Sequence, residues 1–211
     1  VGVMGRSTEH STHLAEICGC AVCKTADELL ALRPDYVIEA ATPQALRESA
    51  LIFLSAGCSV ICLSVGAFAD ETFYHQAAET ARSHHAKVYL APGVIGGLDI
   101  ASTLSVMGKL RGTLIKYKYP NDSGRCPHAL TELPDEYEGS TRDGYALSPA
   151  HLNIAVAAAL ACGSLDQTCM KIEKILDEDS PSFGLDLDGE FASATLRVRQ
   201  VSSGGKTKGP V

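Results

Sequence analysis

Four short runs of small and hydroxyl-bearing residues could bind a flat or anionic ligand through their backbone. Glycine, alanine, serine and threonine let a ligand come close enough to accept hydrogen bonds from main-chain N–H groups. The runs are Gly5-Arg6-Ser7-Thr8, Ala40-Ala41-Thr42-Pro43, Ser64-Val65-Gly66-Ala67 and Pro92-Gly93-Val94-Ile95-Gly96-Gly97. Because the same residues also form ordinary turns, the binding interpretation depends on all four lying along one edge of a sheet.

The segments before these runs predict such a sheet. Short apolar runs alternate with helical patterns, without hairpin signals, as far as residue 91. The predicted strands are Val1–Met4, Ala21–Cys23, Asp35–Ala41, Ser59–Val65 and Lys87–Ala91. This order is typical of a Rossmann-like, doubly wound parallel α/β sheet, in which ligands bind beyond the carboxyl ends of the strands.

Residues 92–211 have a different pattern and predict a second, α+β region. The predicted helices are Ile100–Gly108 and the Ala-rich, apolar Asn153–Cys162. The predicted strands are Thr113–Tyr119, Thr168–Leu176 and Glu190–Val201. The polar stretch Pro120–Tyr145 is predicted to be a long irregular loop.

Charge and composition exclude several classes of protein. The formal net charge is −7 and the pI is near 5.5, which disfavours binding to nucleic acid. No apolar run approaches the roughly 18 residues of a membrane span, so no membrane association is predicted. Eight cysteines, several of them in apolar stretches, fit a reducing cytoplasm. The cluster Cys18, Cys20 and Cys23 has no second ligand pair at metal-site spacing, and no metal is predicted.

The residues after the first predicted strand indicate which strand of a dinucleotide-binding sheet this first strand corresponds to. Gly2 and Gly5 do not make the G-x-G-x-x-G phosphate fingerprint. Arg6, Ser7 and Thr8 instead fit the end of the second strand, where an arginine accommodates the 2′-phosphate of NADP. On this interpretation the sheet is incomplete at its N-terminus and its phosphate-binding βα unit lies upstream of residue 1.

Longer motifs resemble the nicotinamide-dependent L-aspartate dehydrogenase family. The resemblance covers nearly the whole chain and is weakest over Pro120–Tyr145. The motifs are Gly5-Arg6-Ser7-Thr8-Glu9-His10, Pro34-Asp35-Tyr36-Val37-Ile38-Glu39-Ala40-Ala41, Leu63-Ser64-Val65-Gly66-Ala67-Phe68-Ala69-Asp70, Pro92-Gly93-Val94-Ile95-Gly96-Gly97-Leu98-Asp99, Leu147-Ser148-Pro149-Ala150-His151-Leu152-Asn153 and Lys206-Thr207.

The resemblance implies an NAD(P)-dependent oxidoreductase acting on L-aspartate or a related small amino or 2-oxo acid. Val94 and Asn153 fall where the family contacts its cofactor, and Ala41 and Thr42 would lie near the ribose and pyrophosphate. With the other strand ends, the predicted cofactor residues are Arg6, Ser7, Thr8, Ala41, Thr42, Ser64, Val65, Gly66, Val94 and Asn153. Residues 1–91 would bind the dinucleotide, preferably NADP, and residues 92–211 would form the substrate side and a homodimer contact.

The proton donor is the point at which two functional hypotheses separate. The position that corresponds to the family's catalytic histidine is Phe183, and a phenyl ring cannot transfer a proton. His151, two residues before Asn153, is the candidate replacement. The alternative is a catalytically silent relative that binds a nucleotide or a small anion.

Overall fold

The chain forms two compact units in a computed structural model. The structure describes residues 1–118, 134–149, 152–174 and 182–199. The packing divides the chain into Val1–Leu90 and Ala91–Val211. The predicted roles of the two regions, dinucleotide binding and substrate binding with dimerisation, stay predictions.

The first unit contains two parallel sheets and the helices that connect their strands. Strand β1 pairs with β2, and β3, β4 and β5 pair in that order. The strands are β1 Gly2–Met4, β2 Ala21–Cys23, β3 Tyr36–Glu39, β4 Ser59–Cys62 and β5 Val88–Leu90. The helices are α1 Thr8–Cys18, α2 Ala26–Ala31, α3 Pro43–Ser55 and α4 Glu71–Ser83, with a 3₁₀ helix at Val65–Ala69. The predicted α/β class, with parallel strands joined through helices, is confirmed.

Side-chain caps explain why the helices of this unit begin where they do. The hydroxyls of Ser7, Thr25 and Thr42 and the carboxylate of Asp70 each accept a hydrogen bond from an N–H group in the first helical turn. Each cap follows the carboxyl end of a strand, or of the 3₁₀ helix in the case of Asp70. The strand-end runs therefore position the helix N-termini at the predicted binding edge.

The second unit is built on a five-stranded mixed sheet with the order β10-β9-β6-β8-β7. Its strands are β6 Leu110–Lys118, β7 Tyr137–Ser140, β8 Cys169–Lys174, β9 Phe183–Gly189 and β10 Ser193–Val198. Its helices are α5 Leu98–Met107, α6 Thr141–Leu147 and α7 Asn153–Cys162. Helix α7 lies at its predicted residues and is almost wholly buried, as its uniformly apolar composition requires.

Two sequence predictions of local structure were wrong, and one strand was missed. The stretch 120–145 is not one loop, since β7 and most of α6 lie within its described part, residues 134–145. Strand β9 was missed because Gly184, Asp186 and Asp188 interrupt its apolar pattern, although Leu185 and Leu187 are buried. The predicted strand Ser59–Val65 ends at Cys62, and a 3₁₀ helix begins at Val65.

Within the described ranges no helix is both long enough and apolar enough to cross a bilayer. No group of three or more potential metal ligands comes together in the same ranges.

Candidate functional site

The carboxyl ends of β3 and β4 are joined by one buried carboxylate, that of Glu39. Its side chain is on the last residue of β3 and is 8% exposed. Oε1 accepts hydrogen bonds from the N–H of Ala41 at 2.7 Å and from the hydroxyl of Ser64 at 2.8 Å. Oε2 accepts a third bond, from the N–H of Ser64, at 3.0 Å. Three donors therefore compensate a charge that would be costly to bury alone.

These hydrogen bonds limit how two of the predicted cofactor residues, Ala41 and Ser64, can contact a ligand. Both N–H groups donate to Glu39, so neither points to where it would bind a phosphate. What the two residues share is a fixed position, because their loops are held to the same carboxylate. A ligand at this edge would meet the exposed surface of Ala41 and Thr42 and the N-terminal turn of α3.

The sulfur of Cys62, at the end of β4, is close to the same carboxylate. Burial, and secondly the negative charge of Glu39, raise the pKa of the Cys62 thiol to about 12. Cys62 therefore stays a neutral thiol at physiological pH. A buried, neutral thiol of this kind is a poor nucleophile.

Ser64, Val65 and Gly66 lie where β4 ends and the 3₁₀ helix begins, and all three are buried. Phe68 of this 3₁₀ helix packs against α4, since its ring centroid is 5.2 Å from that of Phe73. The side chains of this loop are therefore packed inside the unit and do not project into solvent.

Arg6, Ser7 and Thr8 lie where β1 passes into α1. The hydroxyl of Ser7 caps α1 by accepting a hydrogen bond from the N–H of His10 at 3.2 Å. Thr8 is the first residue of the helix, and both Thr8 and Arg6 are exposed. A guanidinium beside a helix N-terminus is a favourable site for a phosphate.

The second unit brings the two remaining predicted cofactor residues close together. Gly93 has a φ of +64°, and a Cβ added there would lie 3.4 Å from Cγ1 of Ile154. The loop that contains Val94 therefore packs against the first turn of α7, which begins at Asn153. Glycine is favoured at position 93 because its φ lies in the left-handed region, which other residues rarely adopt.

Phe183, the residue at the position of the predicted family histidine, lies beside a buried cation. Phe183 pairs with Lys116 across the antiparallel strands β9 and β6. The Lys116 Nζ lies 4.6 Å from the centroid of the phenyl ring, and the lysine is 7% exposed. His151, the candidate proton donor, lies outside the described residues, and its role stays a prediction.

A concavity of about 530 Å³ lies at the opposite edge of the first unit. It is lined by residues at the amino ends of β3 and β4, including Arg33, Tyr36 and Ser59. Because ligands of parallel α/β sheets bind at the carboxyl ends, this concavity is not the predicted cofactor site.

Sequence reasoning missed both Glu39 and Lys116. An acidic residue that ends an apolar strand, as in Tyr36-Val37-Ile38-Glu39, is a usable signal that a buried carboxylate is bound by neighbouring loops. Lys116 gave no such signal, since the alternation of its strand allows it to lie on either face.

Comparison with known proteins gives a consistent set of similarities. Residues 1–91 match the family model described as homoserine dehydrogenase, NAD binding domain. The chain is 33% identical to the L-aspartate dehydrogenase of Archaeoglobus fulgidus over 175 residues, which is 82% of this chain and 69% of that protein. It is 29% identical to the L-aspartate dehydrogenase of Acinetobacter baylyi over 172 residues, or 78% of this chain and 65% of that protein. The alignments thus span about two thirds of these relatives.

Solved structures show the same fold. The aspartate dehydrogenase of Thermotoga maritima superposes with a TM-score of 0.68 at 22% identity and covers 94% of this chain and 88% of that one. The WlbA dehydrogenase of Bordetella pertussis, solved with NADH and UDP-GlcNAcA, superposes with a TM-score of 0.52 at 11% identity. It covers 92% of this chain and 65% of that one.

The Glu39 carboxylate can be tested by the substitution Glu39→Gln. The amide keeps one acceptor oxygen and places an NH₂ group against donors, so at least one buried N–H loses its partner. We expect the free energy of unfolding to fall by about 1–3 kcal/mol, measured by urea denaturation. The control is Glu48→Gln on the exposed side of α3, which should leave it unchanged. Equal stability of the two variants would contradict the role given to Glu39.

Proposed function

This chain belongs to the L-aspartate dehydrogenase family, and we propose that it is an NAD(P)-dependent oxidoreductase that interconverts L-aspartate, or a related small amino acid, with the corresponding imino or 2-oxo acid. The observation that carries the proposal is the close packing of the Val94 loop on the start of α7 at Asn153. The family resemblance implies that Val94 and Asn153 both contact the cofactor. We further propose that the protein acts as a homodimer in the cytoplasm.

The donors at the strand ends fit part of a dinucleotide. Arg6 and the start of α1 offer a cation and a helix N-terminus for a ribose 2′-phosphate. The N-terminus of α3, capped by Thr42, offers N–H groups near the predicted ribose and pyrophosphate. The 211 residues contain no G-x-G-x-x-G loop, so binding of the pyrophosphate through such a loop is not proposed for them.

The proposed role of the protein's own residues is to orient the cofactor and the substrate for the reaction. When bound, the nicotinamide supplies hydride transfer to or from the substrate Cα. In the second unit, Val94 and Asn153 would contact the cofactor. In the first unit, Glu39 would keep the loops of Ala41 and Ser64 at a fixed spacing. Such preorganisation reduces the entropic part of the barrier.

A second candidate function is favoured by Phe183. A phenyl ring can neither accept nor donate a proton, and its neighbour Lys116 is buried beside it. This favours a relative that retains the nucleotide or anion site without catalysis.

A direct assay separates the two candidates. The protein is mixed with NADPH or NADH, oxaloacetate and ammonium, and the absorbance of the reduced nicotinamide is followed. We expect oxidation that requires ammonium. Nucleotide binding in calorimetry without turnover on any small 2-oxo acid would support the silent relative and overturn the enzyme.

The choice of cofactor can be tested at Arg6. A charge-assisted hydrogen bond to the 2′-phosphate contributes about 1.5–3 kcal/mol, so Arg6→Asp should weaken NADPH binding roughly 10- to 100-fold and leave NADH binding nearly unchanged. Dissociation constants for both nucleotides provide the measurement. Lys109→Asp, which makes the same charge change at an exposed residue of the second unit, is the matched control. An unchanged ratio of the two affinities would show that Arg6 does not contact the 2′-phosphate.

The proton donor can be tested at Phe183 and His151. General acid–base assistance contributes about 10²–10⁴-fold in rate, so Phe183→His should raise kcat substantially, whereas Phe183→Leu should not. His151→Ala should abolish the activity of the parent protein, and the matched change His13→Ala, at an exposed residue in the middle of α1, should be neutral. A fully active His151→Ala variant would show that another group transfers the proton.

A further inference from the structure

The concavity at the amino ends of β3 and β4 lies between two loops that the sheet brings side by side. Because β3 and β4 are parallel neighbours, the loops that precede them arrive at the same edge. The carbonyl of Asp35 in the first loop accepts a hydrogen bond from the N–H of Ser59, at the end of the second, at 3.0 Å. The volume of about 530 Å³ is in the usual range for small-ligand sites.

Two side chains of opposite charge line this concavity without pairing. Arg33 and Asp35 are two residues apart and both are exposed. In the ranges that the structure describes, neither side chain forms a hydrogen bond or an ion pair. A direct pair between exposed side chains contributes little to stability, so the protein loses little by keeping them apart. A ligand that carries both charges can bridge them.

The negative side of the concavity consists of more than one carboxylate. Helices α2 and α3 both end there, at Leu30 and Ala56, and neither has a basic residue in its last turn. The carbonyl end of a helix carries a partial negative charge, which favours a cation. The buried thiol of Cys58 also lines the concavity, and burial, and secondly the charge of Asp35, raise its pKa. The carboxylate of Asp35 is therefore close to this lining, and the thiol stays neutral.

The arginine is not required by the local fold. Arg33 follows the C-cap of α2, has a φ of +50°, and donates its N–H to the carbonyl of Leu30 at 2.8 Å. Glycine is the usual residue at this position, because it adopts a left-handed φ without a Cβ penalty. A glycine would make the same turn with less strain, so the side chain of Arg33 can be removed without removing a structural contact.

We propose that this concavity binds a free α-amino acid in its zwitterionic form. The carboxylate of the ligand accepts charge-assisted hydrogen bonds from the guanidinium of Arg33. The ammonium group of the ligand donates to the carboxylate of Asp35, beside the carbonyl ends of α2 and α3. The site lies at the edge of the first unit opposite to the predicted cofactor residues, so this binding is separate from the proposed function and does not rest on it.

The test compares alanine with two compounds that each keep one of its charges. Calorimetry of the whole 211-residue chain is carried out with alanine, with propionate and with ethylamine. We expect alanine to bind about tenfold more tightly than either, because each of the others loses one set of charged hydrogen bonds. The melting temperature should rise with alanine concentration, as for any ligand of the native state. In NMR spectra, alanine should shift the amide signals of Gly57 and Ser59, which line the concavity.

Two variants separate binding from stability. Arg33→Gly should weaken alanine binding about tenfold, while the melting temperature of the free protein should not fall, because glycine suits the backbone at this position. Asp35→Asn should weaken alanine binding to a similar extent and leave the weak binding of propionate unchanged. The matched control is Arg47→Gln, at an exposed residue of α3, which should leave the affinity for alanine unchanged.

Three outcomes would overturn the proposal. The first is that alanine does not bind, and the second is that it binds no more tightly than propionate or ethylamine. The third is that Arg33→Gly and Asp35→Asn both bind alanine as the parent protein does, which would place the amino acid elsewhere, such as on the proposed substrate side in the second unit. Every measurement is made without nicotinamide or turnover, so failure of the proposed function would leave the result unchanged.

Discussion

The buried carboxylate of Glu39 is the interaction on which the candidate site depends. Parallel strands deliver their loops to one edge of a sheet, but strand pairing alone does not fix the path of each loop beyond the last hydrogen bond of its strand. Here one side chain at the end of β3 receives the N–H of Ala41 and both donors of Ser64. Glu39 thereby holds the two loops at a fixed distance from each other. Helix α3 and the 3₁₀ helix begin directly after these loops, so their N-termini are positioned as well. A hydrophobic residue at position 39 would leave these donors without an acceptor, which is costly in a buried position.

Some backbone N–H groups at the strand ends bind Glu39 inside the protein, and others remain exposed where a ligand could accept from them. The N–H groups of Ala41 and Ser64 serve the protein, whereas those at the capped N-termini of α1 and α3 stay at the surface near Arg6 and Thr42. A negative ligand would meet the helix termini and the guanidinium, with the charge of Glu39 already satisfied internally. A buried acid is compatible with the proposed binding of an anion at this edge, because three hydrogen-bond donors already compensate its charge.

Much of the fold could be predicted from sequence because its signals are local. Ser7, Thr42 and Asp70 precede helical patterns, Gly19 ends α1 in the left-handed region, and α7 is apolar all round. The failures have non-local causes. Strand β9 forms because it pairs with β6 and β10, and its own Gly and Asp residues give no strand signal in the sequence. Ser64 lies outside strand β4 because it donates hydrogen bonds to Glu39, which is 25 residues earlier in the sequence. The hydrophobic periodicity of the sequence predicted which residues lie at the strand ends. It did not predict which of their N–H groups donate to Glu39 inside the protein and which stay exposed to a ligand.

The environment of Phe183 bears on the chemistry that the second unit can support. A buried ammonium normally requires a compensating partner, and the face of an aromatic ring supplies part of that compensation through its quadrupole. Phe183 provides such a face to Lys116, as an imidazole would only when neutral, because a protonated imidazole would repel the ammonium. A phenyl ring at this position therefore gives Lys116 an aromatic face whose own charge does not change with pH. Phe183 therefore has no group that can transfer a proton, and in the proposed reaction the proton has to come from a different side chain.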